Sequence, residues 1–101
     1  MSRKENVDVL ESTEFVEGIV VELNETNLNS IDVKQYFINE YKEMEYEKLG
    51  EIHAGEIYPY AKTPKKAIEI VKRKVRNITR QRTAKVYVAE EVIDLFLNVL
   101  G

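Results

Sequence analysis

Ten of the fifteen basic side chains in this 101-residue chain fall between Lys62 and Lys85. They are Lys62, Lys65, Lys66, Lys72, Arg73, Lys74, Arg76, Arg80, Arg82 and Lys85, and Glu69 is the one acid among them. The segment carries about +9 and the other 77 residues about −12, so the net charge of −3 conceals a strong segregation. On a wheel of about 100° per residue, Lys65, Lys66, Lys72, Arg73, Arg76 and Arg80 fall opposite an apolar stripe of Ala67, Val71, Val75 and Ile78, with Glu69 among them. Lys62, Arg82 and Lys85 extend the row at its two ends. A nucleic-acid backbone calls for such an array, because each neutralised phosphate releases condensed counterions. Pro64 also gives the helix a defined N-terminus, whose free N–H groups suit a phosphate.

The same residues admit plainer readings. Basic rows on amphipathic helices serve as solvated faces, and this row also fits complementary pairing with Glu40, Glu43, Glu47 and Glu51, within the chain or across a homodimer interface. The sequence has no aromatic RNP signature, no helix-turn-helix pair and no KH-type glycine loop.

Other chemistry has little material. His53 is the one histidine and there is no cysteine, so disulfides, thiolate nucleophiles and zinc knuckles are excluded and no metal site is expected. Glu51 and Glu56 lie near His53 in sequence without forming a constellation. There is no phosphate-cradling glycine loop, no Gly-x-Ser-x-Gly, no His-Glu-x-x-His and no paired-aspartate motif. The expectation is therefore a non-enzymatic protein without a cofactor. Among the tyrosines, Tyr58 and Tyr60 flank Pro59, where they either stack bases or pack their rings. Tyr87 reads as packed. Two Asn-x-Thr sequons, at Asn24 and Asn77, mean nothing without a secretory signal.

The elements that must hold these residues follow from periodicity. Glu14 to Leu23 is β-branched, with Phe15, Ile19, Val21 and Leu23 on one parity, and reads as a strand; Gly18 marks a bulge or a close backbone approach. Asn24 to Asn29 is turn chemistry, and Ser30 suits a helix N-cap. Val33, Phe37, Tyr41 and Met44 then recur at helical spacing, which predicts a helix over 31–49 capped by Gly50, although the aromatic content also fits a strand in its first half. Residues 51–60, punctuated by Gly55 and Pro59, read as a strand. Thr63-Pro64 is a helix start, and the stripe from Ala67 to Ile78 predicts a helix ending near Arg80. Thr83 to Val88 reads as a strand. Glu90 and Glu91 open a last helix with a broad apolar face down to Gly101.

The resulting order is β-α-β-α-β-α. It implies an α+β (or small α/β) fold with a three-stranded sheet and about three helices, the sheet parallel or mixed. Residues 1–12 form a flexible tail and residues 13–101 a single domain. No apolar stretch approaches the length of a membrane span, and no apolar signal region opens the chain, so the expected location is cytoplasmic. Two functions remain open. One is a small regulatory or accessory protein that contacts nucleic acid through Lys62, Lys65, Lys66, Lys72, Arg73, Arg76, Arg80, Arg82 and Lys85. The other is a self-associating interaction module without a nucleic-acid role. In that case the dense apolar C-terminus, through Val92, Phe96, Leu97 and Leu100, supplies a homodimer interface or a surface for a protein partner.

Overall fold

A computed structural model of the chain describes residues 7–10 (backbone only), 17–81 and 85–101. It is a mixed α+β fold. The strands β1 (Val7–Leu10), β2 (Gly18–Leu23), β3 (Ser30–Ile38), β4 (Met44–His53) and β5 (Val86–Ala89) form one five-stranded sheet in the order β1-β5-β2-β3-β4. β5 lies parallel to both β1 and β2, while β2, β3 and β4 run antiparallel. Helices α1 (Pro64–Thr79) and α2 (Glu90–Leu100) pack on the sheet face that carries Ile19, Val21, Ile31, Val33, Ile52, Val86 and Val88. Ala67, Ile70, Val71 and Val75 of α1, and Val92 and Phe96 of α2, close this core. Side chains alternate along a strand, so the second sheet face carries the residues between those core positions, many of them polar but the fully buried Val20 among them.

The predicted helix over 31–49 is instead the β3–β4 hairpin. Val33 and Phe37 share a strand face as well as a helix face, because a spacing of four satisfies both periods. The turn decides between them. The Asn39 side-chain carbonyl accepts from the N–H groups of Tyr41 (2.8 Å) and Glu43 (2.9 Å), and Asn39 N–H donates to the Glu43 carbonyl at 2.8 Å. Lys42 takes the left-handed conformation (φ 65°) that such a turn needs. Ser30 therefore opens a strand rather than capping a helix. Gly50 sits inside β4, where an added Cβ would lie 3.2 Å from the Ile78 side chain. A bulge at Leu49 lets Val33 pair with Gly50 and Lys34 with Lys48.

Of the predicted strand over 51–60, only the first residues belong to β4. Two 3₁₀ turns follow, Ala54–Glu56 and Tyr58–Tyr60. Helix α1 forms as its signals dictate: Thr63 Oγ1 accepts from Lys66 N–H at 3.1 Å, Pro64 is the first helical residue, and Arg80 ends the helix at φ 60°. Gly18 has φ 144°, a conformation that strains any residue with a Cβ, and the Tyr87 ring lies 3.3 Å from where that Cβ would stand, so backbone conformation and close approach both call for glycine there. Within the expected N-terminal tail, residues 7–10 pair as β1; residues 1–6, 11–16 and 82–84, the last including the first two of the expected last strand, lie outside the described residues.

Candidate nucleic-acid interface

Burying Ala67, Ile70, Val71 and Val75 fixes the rotation of α1 and turns its other side to solvent. Lys65, Lys66, Arg73 and Asn77 are exposed on that side, Lys72 and Arg76 are half-buried, and Arg80 is exposed at the C-cap. Lys62 is exposed just before the helix. Arg73, Arg76, Asn77 and Arg80 line a surface groove of about 510 Å³. Arg73 and Arg80, seven residues apart, are separated by about 10 Å along the axis at 1.5 Å per residue.

Carboxylates reach the row at two points. Lys66 Nζ lies 3.7 Å from Glu69, and Lys74 Nζ lies 3.2 Å from Glu56. Glu56 also accepts the His53 backbone N–H at 3.1 Å, and that bond, reinforced by Lys74, holds its carboxyl below the usual carboxylate range. Among the described residues, Lys62, Lys65, Lys72, Arg73, Arg76 and Arg80 form no ion pair, and Arg76 Nε is buried without a hydrogen-bond partner. Of the remaining candidates, Arg82 lies outside the described residues. Lys85 sits away from the groove, its Nζ 5.6 Å from the centroid of the Tyr87 ring. Tyr87 has the parity opposite to the core residues Val86 and Val88, on the sheet face without helices.

Within the chain, Glu40, Glu43, Glu47 and Glu51 form no ion pair with this row among the described residues, and Glu47 lies opposite Gln35 in the sheet. Glu51 pairs with Lys48 on the helix-free sheet face, and Glu40 and Glu43 belong to the hairpin turn. Glu56, which does reach it, lies in a 3₁₀ turn that periodicity does not reveal.

The sheet face that bears no helix among the described residues carries a polar network beside the buried Val20. Lys34 Nζ binds Glu22 at 2.9 Å, the Tyr36 hydroxyl donates to Glu22 at 2.7 Å, and Lys34 lies 4.2 Å from the centroid of the Tyr46 ring. Burial, and then the Glu22 carboxylate, push the Tyr36 hydroxyl pKa upward. Burial disfavours the Lys34 ammonium, but the hydrogen bond and charge of Glu22 outweigh it and hold its pKa above the ordinary value. Lys48 bridges Glu51 and Asp32, and Asn24 donates to Asp32 at 3.1 Å. His53 Nδ1 lies 2.9 Å from Ser30 Oγ and its Nε2 3.9 Å from Glu51. Periodicity does not reveal this Ser-His-Glu line, which depends on the register of β3 and β4. A nucleophile must be reachable by substrate, and Ser30 is 1% exposed, so the line ties the strand ends together instead. Among the described residues no cluster of His, Asp and Glu could hold a metal.

The tyrosines beside Pro59 divide. Tyr58 packs edge-on against Phe96 with ring centroids 6.2 Å apart, whereas Tyr60 is 68% exposed. Tyr60 lines a second groove, of about 360 Å³, with Gly55, Glu56, Ile70, Arg73 and Lys74.

Much of the apolar C-terminus packs into the protein's own core. Val92 and Phe96 are fully buried and Leu100 packs against the core, leaving Leu97 exposed at 52%. Val99, also exposed, lies about 200° around the helix from Leu97 and extends no common patch.

Among the described residues no helix is long and apolar enough to cross a membrane. Comparison of the chain with family models, curated proteins and solved structures gave no match.

Proposed function

We propose that the chain is a small non-enzymatic accessory protein that binds nucleic acid through the solvent face of α1, from Lys62 to Arg80. The observation that carries this reading is the groove of Arg73, Arg76, Asn77 and Arg80, from which carboxylates are absent among the described residues. A solvated face made only for solubility has no use for converging guanidinium groups. Like charges three and four residues apart on a helix each destabilise it by about 0.2–0.5 kcal/mol. Phosphate oxygens reverse that repulsion, since the planar guanidinium fork takes them in bidentate fashion.

Fluorescence anisotropy with short single- and double-stranded DNA and RNA, at several salt concentrations, tests the reading. Micromolar or tighter binding at low salt, weakening steeply as salt rises, is expected. Absence of binding to every probe at low salt overturns it. The competing reading is self-association through Leu97, exposed on α2. Sedimentation as a monomer at high concentration, with nucleic-acid binding intact, rules it out.

A further inference from the structure

We infer that the nucleic acid bound is single-stranded, with one base stacked on Tyr60 beside the arginine groove that takes its phosphates. The inference rests on the reading of α1 as a nucleic-acid surface and specifies the ligand's class. Arg73 joins the two features because it lines both grooves, so a phosphate and its neighbouring base would be held by one continuous surface.

The second groove suits a flat ring. Its floor includes Ile70, which is buried in the core, and Gly55 leaves the opening clear, with no atom within 4 Å of where a Cβ would stand. Its volume of about 360 Å³ falls in the range of small-molecule pockets, about 300–1,000 Å³. The Glu56–Lys74 pair on its wall places an acceptor and a donor together, the complement that a base edge needs.

The backbone that carries the exposed Tyr60 ring is fixed. Its N–H donates to the Ile57 carbonyl at 3.0 Å, Pro59 fixes the turn before it, and Ile57 and Ala61 on either side are buried. A ring on a fixed backbone has only its two side-chain torsions to restrict when a base covers it. Every base has a π-face, so the platform tolerates any sequence, but only an unpaired base can reach it. A duplex keeps its bases stacked and would offer α1 its backbone alone, leaving Tyr60 without a role.

The test compares labelled single strands of about 12 nucleotides, in DNA and RNA, with a hairpin duplex of the same composition. The variants are Tyr60→Ala, Tyr60→Leu, Tyr60→Phe and Arg73→Gln/Arg76→Gln, each checked for its fold by circular dichroism. Preference for single strands of either sugar by about tenfold or more is expected. Tyr60→Ala and Tyr60→Leu should weaken single-strand binding about 5- to 150-fold, with the salt slope unchanged, and Tyr60→Phe should bind as the wild type does. Tyr60→Leu keeps the apolar bulk, so its loss isolates the aromatic face. If duplex binds as tightly as single strands and the Tyr60 variants match the wild type, this inference fails, while a slope flattened by Arg73→Gln/Arg76→Gln preserves the reading of α1. If no nucleic acid binds at all, both fail.

Discussion

Replacing Arg73 and Arg76 together with glutamine removes two charges from the centre of the groove and keeps most of each side chain's stem packed along the helix. Six cations on or beside α1 lack an ion pair among the described residues: Lys62, Lys65, Lys72, Arg73, Arg76 and Arg80. If each neutralises one phosphate of a single strand, log K falls with log salt at a slope of about −4, from roughly −0.7 per phosphate. A fourfold rise in salt then weakens wild-type binding about 300-fold. With four phosphates neutralised instead of six, the slope becomes about −3, and the same rise weakens binding only about 50-fold. At 50 mM salt the double variant binds roughly 60-fold less tightly, since the electrostatic contribution vanishes only near molar salt.

Anisotropy titrations of both proteins over about 50–200 mM salt give these slopes directly. Lys42→Gln is the control for net charge, because Lys42 lies on the β3–β4 turn, away from α1. It should leave the slope at the wild-type value. Parallel lines for wild type and the double arginine variant would show that these guanidinium groups do not touch phosphates, and the groove would lose its role in binding.

Four more expectations follow from the geometry. Glu22→Gln strands the buried Lys34 ammonium, whose partner side chain is only 13% exposed, and should lower stability by about 3 kcal/mol in urea unfolding. Phe96→Ala should cost about 3–5 kcal/mol at any protein concentration, because its ring fills the chain's own core; a loss that vanishes on concentrating the protein would restore it to an interface. Glu56 has a carboxyl pKa lowered from 4.5, so its contribution to stability is present above that value and fades as pH falls through the lower folded value. Glu56→Gln should therefore be less stable than wild type at neutral pH, with the gap closing in acid, and a gap that persists at pH 2 refutes the linkage. Affinity should stop rising with strand length once the oligonucleotide covers α1, about 24 Å for sixteen residues, and a continued rise would mean a longer track.

What the sequence revealed and what it hid divide along the range of the forces involved. Thr63, Pro64 and the Ala67–Ile78 stripe specify α1 within a few turns of chain, and its row of cations is a local pattern too, so helix and charge were both legible. The β3–β4 hairpin was not, because Val33, Phe37, Tyr41 and Met44 satisfy the helical spacing by coincidence. The deciding Asn39 turn works through side-chain hydrogen bonds that a periodicity count ignores. Counting three strands where there are five also made α2 look too apolar. β1, a missed strand, widens the sheet beside the foreseen β5, and Val92 and Phe96 find cover inside the chain. Which of Tyr58 and Tyr60 faces outward depends on Phe96, 36 or more residues further along, and the pairing of Lys74 with Glu56 depends on a 3₁₀ turn. Each is a tertiary fact without a local signature.

The net charge of −3 is compatible with a polyanion because of where the acids stand. Among the described residues, Asp32 and Glu22 are spent on Lys48 and Lys34 across the sheet face that carries no helix. Glu45 and Glu47 share the parity of Val33 through the register of β3 with β4, on the side of the sheet that bears α1. They lie further along the hairpin than Gly50, the residue against which Ile78 packs at the C-terminal end of α1. Along α1 from Lys62 to Arg80 the cations dominate, and among the described residues carboxylates pair with them through Glu69 and Glu56. On the proposed reading, this segregation of charge would favour a polyanion laid along α1 over other orientations.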